Sequence, residues 1–261
     1  DKMQEQIEFN NINVINEEVT DVKNKGNYLK IITNKNSYNT KSCIIATGST
    51  PRRLNVPGEK RLAKKGVTYC SICDGPLFSG MDVAIIGGGD SALEAVDFMK
   101  EIAKKIYVVN IEDEFTGHEY LIENVKNNSK VECIFNAKTT KIYGDKLVEG
   151  IEYEQNGKEK KLEVQGVIIE IGRIPNTKIF ENLVALDQDK HILVDCQMRT
   201  SEPGIFAAGD CASGHEYQYV IAAGQGCMAL LKAARYLAKN KWDEKKSRRI
   251  NSKWVNGYHW R

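Results

Sequence analysis

Apolar positions recur with two different periods along the chain, which predicts both strands and helices. Val83–Ile86 is a short apolar run, and such runs are typical of parallel strands covered on both faces. Glycines interrupt this run, after which Asp90 and Ser91 can cap a helix. Apolar residues then repeat every three or four positions, at Ala92, Val96, Met99 and Ala103. Ile106–Val109 is predicted as the next strand.

Two stretches are predicted to form antiparallel hairpins. In the first, residues 28–32 and 41–45 flank a polar turn. In the second, the alternating run 151–155 meets Asn156-Gly157, and the alternation resumes beyond it. Asn-Gly between alternating runs is the strongest short-range signal of a hairpin.

The remaining apolar runs complete an α/β pattern. Residues 166–172 are predicted as a buried strand, and residues 205–208 as a short strand leading into Gly209 and Asp210. The last helix is predicted from residue 220 to about residue 237. Strands that alternate with helices predict an α/β protein, in which nucleotide-binding turns follow the strands.

Composition and charge exclude several classes of function. Of the 261 residues 41% are apolar and 28% are charged, with a net charge of +2, so neither disorder nor nucleic acid as the main partner is indicated. No apolar run approaches the roughly 18–20 residues that span a bilayer, and the first residues lack the blocks of a signal peptide. The chain has seven cysteines, and most of them are isolated in the sequence. This pattern does not match the disulfide framework of a secreted protein. We therefore expect a cytoplasmic protein without a membrane partner.

The segment from Gly87 to Ala92 has the form G-x-G-x-x-A of a dinucleotide-binding turn. Gly87 allows the tight turn, Gly89 lets the backbone approach a pyrophosphate, and the small Ala92 lets the helix pack on the strand. Its position between a predicted strand and a predicted helix is the context that the motif requires. A tight turn without a ligand is the alternative.

Cys70 and Cys73 are the two cysteines spaced for joint chemistry. A C-x-x-C pair can form a redox-active disulfide, for which one thiol needs a lowered pKa and a proton donor nearby. Asp74 directly follows and could supply that proton. The alternatives are inert thiols or half of a zinc site, which Cys211 and His215 could complete.

A series of motifs resembles those of low-molecular-weight thioredoxin reductases, in order and spacing, from residue 1 to about residue 241. They are A-T-G-S (46–49), V-P-G-E (56–59), C-S-I-C-D-G (70–75), G-G-G-D-S-A (87–92), G-R-I-P-N-T (172–177), G-I-F-A-A-G-D (204–210) and A-G-Q-G-C-M-A (223–229).

The resemblance implies a homodimeric flavoprotein that acts as a thioredoxin-disulfide reductase. Electrons would pass through FAD to the Cys70–Cys73 disulfide and on to thioredoxin or a similar small redoxin. By this resemblance Cys73 faces the flavin, Cys70 attacks the substrate disulfide and Asp74 is the acid–base. The residues implied to contact FAD are Thr47, Gly48, Gly209, Asp210 and Gln218. Asp210 would bind the ribityl chain, and Gln218 would lie near the flavin ring. Residues 87 and 89–92 would bind the second nucleotide.

The segment that should bind the reductant departs from the family pattern. Members that use NADPH carry H-R-R-x-x-x-R after the second strand of the nucleotide unit, but here the three arginine positions hold Ile111, Glu112 and Thr116. An acidic stretch repels the 2′-phosphate. We therefore favour NADH, with Asn110 or Glu112 reaching the ribose, or a donor that is not a nicotinamide, over NADPH.

The beginning of the chain also departs from the pattern. No G-x-G-x-x-G unit precedes residue 46, so we expect the FAD domain to be incomplete. The predicted division is residues 1–54 and 183–241 as parts of an FAD domain, with residues 55–182 inserted as an NAD(P)-type domain that carries the C-x-x-C. Residues 242–261 form a basic tail outside the family match.

Two other functions remain open at this stage. The same scaffold could be a non-catalytic module that binds a nucleotide or holds zinc. It could also reduce a peroxidase partner instead of thioredoxin.

Overall fold

A computed structural model of the chain describes residues 2–214 and 217–240. The chain divides into two compact units. The first unit comprises residues 1–49 and 175–261, and the second comprises residues 50–174. The basic tail and His215 lie outside the described residues.

The described residues contain six α-helices and fifteen strands. The helices are α1 (Lys2–Phe9), α2 (Glu59–Leu62), α3 (Ser71–Asp74), α4 (Asp90–Met99), α5 (Glu119–Lys126) and α6 (Tyr219–Lys239). The strands are β1 (Val19–Asn24), β2 (Leu29–Thr33), β3 (Ser37–Thr40), β4 (Cys43–Ile45), β5 (Ser49–Pro51), β6 (Val67–Thr68), β7 (Asp82–Ile86), β8 (Lys105–Val109), β9 (Val131–Ile134), β10 (Ala137–Tyr143), β11 (Gly150–Gln155), β12 (Lys158–Glu163), β13 (Gly166–Ile169), β14 (Arg173–Pro175) and β15 (Ile205–Ala207).

The second unit is built on a five-stranded parallel sheet with the order β6-β13-β7-β8-β9. The apolar run of β7 is fully buried, as its lack of polar residues predicts. Helix α4 buries the predicted face, Ala92, Val96 and Met99, against this sheet. The α/β fold class is therefore confirmed.

The start of α4 differs from the prediction. Gly89 is the N-cap residue and no side chain caps the helix, so the expectation that Asp90 and Ser91 cap it is wrong. Asp90 is already the first helical residue, and its carboxylate instead accepts a hydrogen bond from the His118 backbone N–H at 2.7 Å.

The hairpin predicted around Asn156-Gly157 is present. Strands β11 and β12 pair antiparallel from Gln155 opposite Lys158, and β10 extends them into a three-stranded sheet. Asn156 and Gly157 have φ angles of +53° and +73°, as tight two-residue hairpin turns require.

The first unit corrects the other predicted hairpin. Strand β2 pairs with β3, the segment immediately after the polar turn, and not with residues 41–45. The apolar strand β4 pairs in parallel with β15, more than 150 residues later. The short polar turn brings the chain back so that β2 pairs with the polar strand β3, which follows directly. The unbroken apolar run of β4 is instead suited to a buried, parallel strand.

Helix α1 is not among the elements that the sequence pattern predicts. Its sequence contains residues that favour helices, and Gln4 donates to Glu8 one turn later. Helix α6 is close to its predicted span. None of the helices in the described part of the chain is both long and apolar enough to cross a membrane.

Candidate active site

Cys70 and Cys73 form a disulfide directly after strand β6 in the second unit. Their Cα atoms are 5.3 Å apart, and Cys70 is the N-cap residue of α3. The backbone N–H of Cys73 points at the Cys70 sulfur, 3.1 Å away. A donor in this position stabilises a thiolate more than a thiol, so Cys70 is the sulfur prepared to carry negative charge after reduction.

The buried hydroxyl of Thr68 joins the disulfide to Asp74. It donates to the Asp74 carboxylate and accepts the Cys70 backbone N–H at 3.2 Å. Because a hydroxyl can donate and accept at once, one side chain fixes both the carboxylate and the residue before α3. Sequence patterns did not predict this residue, which appears only as the last position of a short strand.

Exposed apolar side chains lie beside the disulfide in the sequence. Ile72, between the two cysteines, is 63% exposed, and Leu77, on the 3₁₀ turn that follows α3, is 72% exposed. Phe78, the next residue, is buried in the core. Ile72 and Leu77 are therefore apolar side chains in solvent within four residues of the cysteine pair.

Glu170 is a second carboxyl at this edge of the sheet, and no sequence motif singled it out. It directly follows β13, which pairs in parallel with β6, the strand that precedes Cys70. Burial raises the pKa of Glu170 to about 7, against the opposing effects of the Arg173 charge and the Ser71 N–H. An acidic residue that interrupts the otherwise apolar run 166–172 was the only signal in the sequence.

The glycine turn between β7 and α4 has two positions where a side chain cannot fit. A Cβ atom on Gly87 would lie 2.2 Å from the Glu170 carbonyl oxygen, and one on Gly88 would lie 2.5 Å from the Asn110 side chain. At Gly89 the nearest atom would be 3.7 Å away, so its backbone faces more open space. Ala92 is fully buried behind the turn.

The acidic segment after β8 folds against this turn. Thr116 N–H donates to the Gly88 carbonyl at 2.9 Å, and the His118 ring lies 2.8 Å from the Asp90 carboxylate. The His118 backbone N–H, followed by its ring, lowers the pKa of Asp90, which keeps a negative charge at the start of α4. Ser91 follows in the first turn of the helix.

Asn110 does not take the role that the sequence suggested. Its side chain is buried, and its amide donates to the Glu114 carbonyl at 2.7 Å. The expectation that Asn110 reaches a ribose is therefore wrong, because the amide is used within its own loop. Glu112 is exposed and remains available.

The other predicted cofactor residues lie in the first unit. Thr47 and Gly48 are tied to one residue, Asn176, by hydrogen bonds of 2.8 Å to 2.9 Å. Gly209, which begins the 3₁₀ turn after β15, donates its N–H to the side chain of Gln225 at 2.7 Å. Sequence patterns assigned no site role to Asn176 or Gln225.

Asp210 and Gln218 complete this group. Ser49 Oγ donates to the Asp210 carboxylate at 3.1 Å, and Gln218 is the N-cap residue of α6 without a side-chain cap. Within residues 2–214 and 217–240, no three His, Cys, Asp or Glu side chains are grouped so that they could hold a metal ion.

The fold and these motifs define a class of oxidoreductase. A family model described as pyridine nucleotide-disulphide oxidoreductase matches residues 2–226. The chain belongs to this family, and the resemblance to thioredoxin reductases is confirmed by the solved structures that it matches.

Individual relatives carry three different names. The chain is 42% identical to an NADH dehydrogenase of Bacillus subtilis (strain 168) over 203 residues, covering 77% of this chain and 40% of the relative. It is 38% identical to the alkyl hydroperoxide reductase F component of Staphylococcus aureus (strain MSSA476) over 224 residues, covering 85% and 44%. The thioredoxin reductase of Streptococcus pyogenes MGAS5005 has a TM-score of 0.78 at 35% identity, covering 91% of this chain and 79% of that structure. The chain thus spans less than half the length of the Bacillus subtilis and Staphylococcus aureus relatives.

Proposed function

We propose that the whole protein is a flavin-dependent reductase of the thioredoxin-disulfide type, in which Cys70 and Cys73 exchange electrons with a small redoxin. The observation that carries this proposal is the Cys73 N–H directed at the Cys70 sulfur, beside a carboxylate that Thr68 holds in place. A pair of inert thiols needs neither arrangement.

The chemistry follows from these contacts. After two-electron reduction, the Cys70 thiolate attacks one sulfur of the redoxin disulfide, a mixed disulfide forms, and the other redoxin sulfur leaves as a thiolate. The Cys73 thiolate then attacks Cys70, which re-forms the Cys70–Cys73 bond and releases the second redoxin sulfur. Asp74 gives or takes the proton that accompanies each thiol–thiolate change.

The exposed apolar residues support a protein substrate. Ile72 and Leu77 present apolar surface within a few residues of the disulfide. A redoxin that covers them would bring its own disulfide to Cys70, and burial of apolar side chains stabilises such transient complexes. A small-molecule disulfide would gain little from them.

Residues of the first unit would fit the ribityl part of FAD. Asp210 offers a carboxylate next to the Ser49 hydroxyl, and the Thr47–Gly48 loop is fixed by Asn176. When bound, FAD would supply the two electrons that reduce the disulfide. The N-terminus of α6, after Gln218, would favour negative charge on the cofactor.

We infer that residues 55–182 form the domain for the reductant and that residues 1–54 and 183–241 belong to the FAD domain. NADH or a donor that is not a nicotinamide is favoured over NADPH, because Glu112, Asp113 and Glu114 are exposed where a 2′-phosphate would lie. The name of the Bacillus subtilis relative supports NADH. A homodimer in the cytoplasm remains part of this proposal.

A second candidate partner is a peroxidase. The Staphylococcus aureus relative is named as part of an alkyl hydroperoxide reductase, and its identity to this chain is comparable with that of the thioredoxin reductases. The dithiol chemistry is the same for both partners, and the acceptor differs.

Anaerobic transfer of electrons to an acceptor tests the proposal. The full-length, FAD-loaded protein is reduced with dithionite, freed of excess reductant and mixed with oxidised thioredoxin or with an oxidised peroxiredoxin. We expect one disulfide reduced per dithiol, no transfer by Cys70→Ser, and unchanged transfer by Cys196→Ser, which alters an exposed cysteine without a disulfide. Equal transfer by Cys70→Ser and the unaltered protein would refute the proposal.

A further inference from the structure

A groove of about 500 Å³ lies on the second unit between α4 and α5, and the proposed chemistry does not use it. Its lining includes two exposed aromatic rings, Phe98 of α4 and Tyr120 of α5, of which Tyr120 is 60% exposed. Three acidic side chains on and just after α4 also line it, namely Glu94, Asp97 and Glu101. The groove is therefore apolar along part of its lining and acidic along another.

The dithiol segment runs beside this groove. A Cβ atom on Gly75, two residues after the second cysteine, would lie 3.0 Å from the Phe98 ring. Gly80 donates its N–H to the carbonyl of Ile102, another lining residue, at 2.9 Å. Leu77, which is 72% exposed, lies in the chain between these two contacts with α4 and the turn after it. The apolar surface beside the disulfide thus continues to the groove.

The charge of this face is strongly one-sided. Residues 90–123, which include α4 and most of α5, contain nine Asp or Glu residues and three Lys residues. Lys100 is bound to Asp97 at 2.5 Å, so one of the acidic lining residues is already neutralised. Neither Glu94 nor Glu101 forms a salt bridge with any other residue that the structure describes. These two carboxylates are available to a positively charged partner.

We propose that this groove docks the redoxin that accepts electrons from Cys70, and that it selects a redoxin with lysine or arginine beside its disulfide. This inference rests on the proposed function, because it assigns a contact surface for the same reaction. Apolar side chains of the redoxin cover Phe98 and Tyr120, and its basic side chains lie opposite Glu94 and Glu101. An apolar centre with a charged rim is the usual build of a transient protein interface. Nucleotides carry negative phosphates, which the same carboxylates repel.

The test separates docking from thiol chemistry. The full-length protein is reduced with dithiothreitol, which breaks the Cys70–Cys73 bond and is itself oxidised to a cyclic disulfide that is then removed. Anaerobic mixing with rising concentrations of an oxidised thioredoxin that carries a lysine beside its disulfide gives a dissociation constant and a limiting transfer rate. Dithiodipyridine, a small uncharged disulfide that gains nothing from the groove, is the reference acceptor.

Reversal of the two available charges should weaken docking alone. The double variant Glu94→Lys, Glu101→Lys should raise the dissociation constant for thioredoxin about tenfold at low salt, because its charges then repel the basic side chains. The difference should shrink at high salt, and the limiting rate and the dithiodipyridine rate should stay unchanged. The matched control is Glu154→Lys, Glu159→Lys, which changes the net charge equally at two exposed carboxylates of the β11–β12 hairpin. It should leave the dissociation constant within about twofold.

A second variant tests the apolar part of the groove. Tyr120→Ser removes an exposed ring and should raise the dissociation constant about three- to tenfold at every salt concentration. Unchanged dissociation constants in both groove variants, or an equal loss in the hairpin control, would overturn the docking surface. Self-association of the unaltered protein that Tyr120→Ser abolishes would also overturn it, because a second copy would then occupy the groove. No transfer from the reduced protein to thioredoxin or to an oxidised peroxiredoxin would instead count against the proposed function.

Discussion

The backbone of Gly87 and the carbonyl of Glu170 approach so closely that no side chain fits between them. A Cβ atom on Gly87 would lie 2.2 Å from that oxygen, and the Gly87 φ angle of +140° is unfavourable for any other residue. This contact brings the turn of the nucleotide motif against the strand that leads into Glu170. The glycine is therefore required by packing within the protein, whether or not a pyrophosphate is bound.

Gly87→Ala should destabilise the second unit by about 3 kcal/mol, because both the clash with backbone and the backbone angle oppose it. Urea unfolding followed by circular dichroism measures the loss. Gly89→Ala is the control, since its nearest atom would be 3.7 Å away, and it should cost at most about 1 kcal/mol for the changed N-cap. Equal losses in the two variants would contradict the packing argument.

Thr68→Val should slow reduction of the Cys70–Cys73 disulfide by dithiothreitol roughly tenfold, which corresponds to about 1.4 kcal/mol and is the size of a lost charged hydrogen bond. Valine keeps the shape but leaves Asp74 and the Cys70 N–H without the hydroxyl. Thr68→Ser restores the hydroxyl and should recover most of the rate. If valine and serine behave alike, the hydroxyl does not position the site.

Replacing Ile111, Glu112 and Thr116 together by arginine should strengthen binding of NADP⁺ by more than tenfold relative to NAD⁺, because the 2′-phosphate would then meet positive charge. Titration calorimetry at two salt concentrations measures both affinities. Glu112→Gln alone removes one repulsive charge and should give a smaller gain. Tighter binding of NADP⁺ than of NAD⁺ by the unaltered protein would show that the acidic loop does not exclude the phosphate.

Glu170 should also make folding stability depend on pH. Its pKa is raised in the folded state to about 7 from an ordinary value of 4.5, so the folded protein holds the proton more tightly than the unfolded chain. Stability from this group is complete below pH 4.5 and is lost as pH rises through about 7. We expect the free energy of unfolding of Glu170→Gln, relative to that of the unaltered protein, to rise by on the order of 1–2 kcal/mol when the pH is raised from 5 to 8.5. This figure allows for the partial exposure of the carboxyl group. A pH-independent difference in denaturation midpoints would contradict this.

The elements predictable from the sequence are those whose signal is local. The β7–α4–β8 unit follows from one apolar run and one helical repeat, and the β11–β12 hairpin follows from Asn156-Gly157. Strand β4 was paired incorrectly because its partner, β15, lies more than 150 residues away and no local pattern indicates it.

The same limit applies to the candidate site. Cys70, Cys73 and Asp74 are adjacent in the sequence and could be found by spacing. Thr68 lies only two residues before Cys70, but no motif marks its hydroxyl, and Glu170 comes to the same edge of the sheet only because β13 pairs with β6. Asn110 was misjudged for a related reason, since its burial depends on how its loop folds onto Gly88.

Trapping of the mixed disulfide tests the central claim most directly. Full-length Cys73→Ser protein is mixed with a thioredoxin that lacks its second active-site cysteine and carries the first as an activated thionitrobenzoate disulfide. Mass spectrometry then identifies the bond between the proteins. We predict a link from Cys70 that forms much faster than links from the exposed Cys196 or Cys227. Linkage at the same rate to all three cysteines, or at equal yield in a variant that also lacks Cys70, would contradict the account.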